Sequence, residues 1–175
     1  MFRIIDTIRK LLRPSVRPNN TPEVVVVGSP LYVAVHEAGH AVLARQFGGV
    51  ISEMRLFDGP PYSGKTVVIF SDAEQSALYS LGGFAAEQLM FEAGLIKLNG
   101  SAISETAFQA EQRANASVDF GRFVSATPGA NFDLFAQAAH SVKPQMTLEA
   151  LWPLAAALEK RRFLTELDIV KLLDG

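Results

Sequence analysis

Residues 32–48 of the chain read YVAVHEAGHAVLARQFG, and this segment is predicted to be the helix around which the domain is built. At its centre His36 and His40 stand four residues apart in an HExxH pattern. Residues with this spacing lie one turn apart on the same helical face, so both imidazoles can reach one metal ion. Glu37 follows the first histidine, where its carboxylate can reach a water molecule on that metal and act as general base. The pattern is typical of a zinc peptidase.

The residues around the histidines predict a buried helix, which is the setting that a metal site of this kind requires. The apolar or small neighbours are Val33, Val35, Ala38, Ala41, Val42 and Leu43. The glycines at 48 and 49 offer a natural end. The alternative interpretation is that both histidines are ordinary core residues, hydrogen-bonded to their neighbours. The buried context with a defined end favours the metal site.

Composition limits the class of protein. A chain of 175 residues, 49% of them hydrophobic, can form one domain with a sizeable core. A net charge of −2 argues against a nucleic-acid partner. The chain has no cysteine, which excludes disulfides and Cys-ligated zinc and fits a reducing compartment, so we expect a cytoplasmic protein. No apolar run approaches the roughly 20 residues that span a bilayer.

Residues 1–28 differ in character from the remainder. Residues 1–13, MFRIIDTIRKLLR, place apolar side chains on one helical face and four basic side chains on the other. This pattern predicts a basic amphipathic helix that could lie on an anionic membrane surface, or pack on the domain or a partner. The Pro- and Asn-rich residues that follow predict a linker. We therefore expect the main domain to occupy residues 29–175.

Two segments after the HExxH helix predict a small β-sheet. Residues 51–57 and 66–70 are rich in β-branched and aromatic side chains and flank a turn. Residues 59–66, GPPYSGKT, also match the phosphate-loop pattern GxxxxGK[ST]. A phosphate loop needs a helix directly after the lysine, whereas a predicted strand follows Lys65. We interpret the glycines as hairpin residues and expect no ATP binding.

The remainder of the chain is predicted to be helical, which gives an α+β fold with a small sheet next to the HExxH helix. The predicted helices cover residues 71–93, 104–124, 130–142, 148–162 and 166–173, and a short strand is predicted at 24–27. Thr147 and Thr165 are expected N-caps. Glu87 lies on the apolar face of the first of these helices, where we expect it to hydrogen-bond a metal-bound histidine.

Four segments, in order, resemble the successive blocks of the FtsH-type AAA zinc metalloproteases, which are membrane-anchored. The segments are AVHEAGHAV at 34–42, LGGFAAEQLMF at 81–91, TPGANFDL at 127–134 and LAAALEKRRFLTELDIVKLL at 154–173. The family patterns are HEAGHA, LGGRAAE, TGAxxDL and a last segment of the type LxxExxLxxEI. The resemblance covers roughly residues 30–175 and implies that they form the family's peptidase domain.

The resemblance implies a role for individual residues. His36 and His40 become zinc ligands, Glu37 becomes the catalytic base, and Asp133 supplies the third ligand. A hard carboxylate oxygen suits zinc in that role. Asp119 is the alternative third ligand, because the segment before Asp133 is longer than the family usually shows and the alignment could shift there.

Three departures from the family shape the functional prediction. Phe84 stands where the family has the arginine of GGRAAE, and the family's ATPase domain and transmembrane segments have no counterpart here. We expect a zinc-dependent endopeptidase that cleaves unfolded or extended polypeptides with no ATPase of its own. It could form a homo-oligomer or work with a separate ATPase. The alternative is a non-catalytic adaptor that binds a full-length protease, but a scaffold would not need Glu37.

Overall fold

The computed structural model describes residues 22–70 and 73–174. The predicted amphipathic helix at residues 1–13 and nearly all of the predicted linker lie outside this range. The first two residues of the helix predicted at 71–93 also lie outside it.

The described residues form an α+β fold that is mainly helical, as predicted. The helices are α1 (Pro30–Gln46), α2 (Ala73–Tyr79), α3 (Gly82–Glu92), α4 (Glu105–Asn115), α5 (Ser117–Ala126), α6 (Phe132–Val142), α7 (Leu148–Arg161) and α8 (Glu166–Asp174). The strands are β1 (Val25–Val26), β2 (Val50–Phe57), β3 (Ser63–Ile69), β4 (Ile96–Leu98), β5 (Ser101–Ala102) and β6 (Phe163–Thr165). No helix of the described residues is both long enough and apolar enough to cross a membrane.

Helix α1 is the HExxH helix, and it lies at the centre of the domain. Its N-cap is Ser29, whose side chain accepts a hydrogen bond from the backbone N–H of Tyr32 at 3.1 Å. Gly48, with φ of +76°, follows the last turn. Every residue from 31 to 44 is buried, because α3, α7 and the hairpin strand β3 pack around the helix. A helix surrounded in this way exposes no polar face, which explains its small and apolar sequence.

Two glycines bring the backbones of α1 and α3 into direct contact. A Cβ built on Gly39 would overlap the carbonyl of Gly82 and lie 2.5 Å from the Cβ of Ala86. A Cβ built on Gly82 would in turn lie 2.5 Å from the carbonyl oxygen of Gly39. Any side chain at either position would therefore force the two helices apart.

The described strands form two three-stranded sheets. One has the order β3-β2-β6, is antiparallel throughout and packs beside α1, which confirms the predicted hairpin. The other has the order β1-β4-β5. Strand β3 begins at Ser63, so Gly64, Lys65 and Thr66 all lie within it. The phosphate-loop interpretation requires a helix at this point, and the structure has a strand instead.

Two helices that were predicted to be continuous are interrupted. The helix predicted at 71–93 is broken after Tyr79: the N–H groups of Ser80 and Leu81 bond three residues back, which tightens and ends α2. The helix predicted at 104–124 is broken at Ala116, between α4 and α5. The predicted caps of α7 and α8 are confirmed. Thr147 accepts from the N–H of Ala150 at 3.2 Å, and Thr165 from that of Asp168 at 3.3 Å.

A cluster of phenylalanines joins α3 to α5 and α6. Phe84 is buried and meets Phe132 and Phe135 edge to face, with ring centroids 5.8 Å and 5.4 Å apart. Phe120 and Phe123 complete the cluster from α5. The position at which the FtsH-type pattern has an arginine is therefore part of an aromatic core in this chain.

The glycine contact predicts that Gly39→Ala destabilises the protein by about 1–3 kcal/mol or more, since the new methyl group meets backbone that cannot move aside. Gly121→Ala is the matched control. Nothing lies within 4 Å of a Cβ built at this exposed position of α5, so alanine should be neutral or stabilising by up to about 1 kcal/mol. Urea unfolding of both variants measures the difference, and equal stability would contradict the proposed constraint.

Candidate metal centre

Three side chains from two helices converge on one point. His36 and His40 come from α1, and Asp119 comes from the first turn of α5. The Nε2 atoms of the histidines are 3.2 Å apart, and Asp119 Oδ2 lies 2.9 Å from the first and 3.1 Å from the second. All three residues are buried, none with more than 6% of its surface exposed. This group could hold a metal ion.

The outer nitrogen of each histidine is fixed by a hydrogen bond. His40 Nδ1 is 2.8 Å from the carbonyl oxygen of Tyr79, which can only accept, so Nδ1 carries the proton. His36 Nδ1 is 2.7 Å from Oε1 of the fully buried Glu87, again an acceptor when ionised. Asn115 also donates to that oxygen. With Nδ1 protonated, each ring directs Nε2 toward the centre, and in its neutral form each ring presents there the lone pair that metal ligation needs. The prediction that Glu87 contacts a histidine of the site is confirmed.

Three acceptor atoms at these distances repel one another unless positive charge lies between them. Burial alone would lower the pKa of both histidines, but Asp119, with Glu87 also acting on His36, outweighs burial and raises both pKa values. Burial would likewise raise the pKa of Asp119, but His40 and His36 hold that pKa well below its usual value. Without a metal, protons must supply the charge that the cluster requires.

The donor set and its spacing fit a tetrahedral metal ion. Zinc binds imidazole nitrogen and carboxylate oxygen at about 2.0–2.2 Å, which places ligand atoms about 3.3 Å from one another. The three distances between donor atoms, 2.9–3.2 Å, are close to that value. A cavity of about 190 Å³ opens beside the cluster and leaves room for a fourth, non-protein ligand.

Glu37 lines the same cavity but does not belong to the three donor residues. Its carboxylate is buried, and Thr66 of β3 donates a hydrogen bond to Oε2 at 2.6 Å. Arg122, about half exposed, lines the cavity too and donates to Asp119 Oδ1 at 3.1 Å. The two oxygens of Asp119 are thus divided, one toward the histidines and the other toward the guanidinium.

The structure does not bring Asp133, the predicted third ligand, to the histidines; it places the alternative, Asp119, beside them. The Asp133 side chain is 81% exposed at the start of α6, 3.8 Å from Arg113. Helix α6 buries the face that carries Phe135, and Asp133, two residues earlier, lies on the opposite side of the helix. The TPGANFDL segment resembles the FtsH-type pattern TGAxxDL, but its carboxylate, Asp133, faces away from the site.

Several residues of the site carry only a weak signal in the sequence. Asp119 could have been preferred, because it shares a helical face with the buried Ala116 and Phe123, and a carboxylate on an apolar face needs a partner. Thr66 was considered only as part of the phosphate-loop pattern. The carbonyl of Tyr79 has no sequence signal, since it becomes available only because α2 ends there.

Neither protein-family models nor curated proteins show a match to this chain. The resemblance to the FtsH-type peptidases therefore rests on the quoted segments and stays a prediction.

The geometry predicts that Asp119→Ala weakens Zn²⁺ binding far more than Asp133→Ala does. Loss of one of three protein ligands should exceed the roughly 10- to 100-fold loss typical of residues that only support a ligand. Asp133→Ala is the matched control and should bind as the unaltered protein. Competition with a chromophoric chelator measures both affinities. Unchanged affinity in Asp119→Ala would contradict the assignment.

The raised histidine pKa values predict that metal binding releases protons. Because both histidine pKa values are raised, the metal-free cluster holds its protons to higher pH than free imidazoles do, and Zn²⁺ must displace them, so apparent affinity should rise as pH increases through these pKa values. Calorimetric titrations in two buffers of different ionisation enthalpy count the released protons. Asp119→Ala, which removes the main cause of the raised pKa values, should release fewer. Identical heats in both buffers would refute the prediction.

Proposed function

We propose that this chain is a zinc-dependent metallopeptidase, with His36, His40 and Asp119 as metal ligands and Glu37 as general base. The observation that carries the proposal is the convergence of three lone-pair donors next to a buried carboxylate that does not belong to the donor set. Zinc, when bound, polarises a scissile carbonyl and lowers the pKa of a water molecule toward about 7.

The surroundings of the donors support zinc and hydrolysis. Two imidazoles and one carboxylate with an open fourth position form a donor set of catalytic zinc sites. The hydrogen bonds from His36 to Glu87 and from His40 to the Tyr79 carbonyl hold both rings in a fixed orientation. Such support limits how far the ligands can relax and increases their basicity.

Glu37 is suited to move a proton. It is adjacent in sequence to the first ligand but takes no part in the triangle of donor atoms, so its carboxylate stays available. In the proposed reaction it accepts a proton from the attacking water and passes it to the leaving amine of the substrate. Two cationic side chains, Arg122 and Lys65, line the cavity and could face a polarised carbonyl.

The position of β3 supports an extended polypeptide as substrate. Among the described strands, β3 forms one edge of its sheet, and its residues 63–66 line the cavity. An extended segment can pair with such an edge through main-chain hydrogen bonds, which select little among side chains. A folded substrate would first have to unfold locally, at a cost of several kcal/mol. Unfolded proteins and peptides are therefore the proposed substrates.

The decisive variant is Glu37→Gln. Because Glu37 is not a ligand, zinc content and fold should be retained, while turnover of a labelled unfolded protein should fall about 10²- to 10⁴-fold. The assay uses this chain alone, without nucleotide, and zinc is measured in the same samples. Normal turnover in Glu37→Gln would refute the role of the base. Full zinc occupancy in the unaltered protein without any hydrolysis would instead favour the non-catalytic adaptor.

A further inference from the structure

The phosphate-loop pattern at residues 59–66 ends in Gly64, Lys65 and Thr66, and two of these three residues contact Glu37. Thr66 Oγ1 lies 2.6 Å from Glu37 Oε2 and 3.1 Å from the backbone carbonyl oxygen of the same residue. A Cβ built on Gly64 would lie 2.5 Å from Glu37 Cγ and 2.7 Å from Oε1. The pattern binds no phosphate in the proposed function, yet its last residues surround the base.

We infer that Thr66 and Gly64 are positioning residues for Glu37: Thr66 fixes one carboxylate oxygen by a hydrogen bond, and Gly64 leaves the space that the carboxylate occupies. The inference rests on the proposed function, in which Glu37 is the general base. It adds to that function two residues of a different element, β3, that are not among the three donor residues.

The Thr66 hydroxyl discriminates between the two oxygens of the base. A hydroxyl has one proton, and the shorter contact with the charged oxygen is the stronger bond. Oε2 thereby accepts one strong hydrogen bond, and we assign Oε1, beside Gly64, as the oxygen that takes the proton. The hydrogen bond restricts rotation of the carboxylate, so that the same oxygen is available in every turnover, as efficient proton transfer requires.

The strand gives Thr66 a rigid support. Thr66 is buried and pairs with Met54 of the central strand β2, and Met54 is itself completely buried. A β-branched side chain has few rotamers in such a setting, so the hydroxyl has a defined direction. Serine would keep the hydrogen bond with less restriction, and valine would keep the shape but lose the donor.

Gly64 affects Glu37 only by its lack of a side chain, which leaves room for the carboxylate. The atoms that an added methyl group would meet are the outer atoms of a flexible side chain, not backbone. Alanine at this position should therefore displace the Glu37 carboxylate rather than disrupt the fold. Gly64→Ala and Thr66→Val thus disturb the same carboxylate by two independent means, steric displacement and loss of a donor.

The kinetic test compares Thr66→Val, Thr66→Ser and Gly64→Ala, each loaded with zinc, on a labelled unfolded protein. We expect kcat to fall about 10- to 100-fold in Thr66→Val, with KM and zinc content unchanged. Thr66→Ser should retain most of the activity, and Gly64→Ala should lose kcat without loss of fold. Thr106→Val, the same chemical change at an exposed position of α4, is the control and should behave as the unaltered protein. Unaltered kcat in both Thr66→Val and Gly64→Ala would overturn the inference.

A second test does not depend on hydrolysis. The free energies of unfolding of the unaltered protein, Thr66→Val, Glu37→Ala and the double variant form a thermodynamic cycle, measured in the metal-free protein. We expect the two changes to be non-additive, since each removes one partner of the same hydrogen bond. If the unaltered zinc-loaded protein cleaves no substrate, the proposed function fails. The cycle then still tests the Thr66–Glu37 contact: coupling between the two changes supports the contact, and additivity overturns it.

Discussion

Gly39 and Gly82 bring the backbones of α1 and α3 into contact, and the geometry of the candidate metal centre depends on that contact. The close approach sets Glu87 within hydrogen-bond distance of His36. It also sets Gly83 against the His36 imidazole, where a side chain of any size would overlap the ring. The histidine spacing is a local property of one helix, but the orientation of the rings requires the second helix at this short distance.

The interruptions between helices have a shared consequence for the site. Helix α2 ends at Tyr79, and its last carbonyl, which has no partner within the helix, accepts the proton of His40. The break at Ala116 separates Asn115, which contacts Glu87, from Asp119, which meets both histidines. A single straight helix through either break would not present these groups in the same way. The site is therefore built from helix ends as much as from the central helix.

How well the sequence predicts a feature depends on how far apart in sequence the interacting residues are. Helix α1, its two histidines and the β2–β3 hairpin depend on spacing and pattern within a few residues, and their prediction was correct in outline. The third donor is 79 residues from His40 in sequence, and its identity depends on which face α5 and α6 turn inward. Asp133 belongs to a matching segment, but Asp119 lies on the inward face. The apolar face that Asp119 shares with Ala116 and Phe123 is a local pattern that favours it, but the match of the Asp133 segment to the family pattern pointed the other way.

Strand β3 also sets a length scale. It contains seven residues, Ser63–Ile69, and a paired strand advances about 3.3 Å per residue. A chain lying along its whole edge would extend about 20 Å, well past the metal centre. In the proposed function Thr66 of this strand also holds the base, so a peptide too short to pair on both sides of the centre would lose binding and alignment together. The edge of β3 would thus favour polypeptides long enough to pair on both sides of the centre over short fragments.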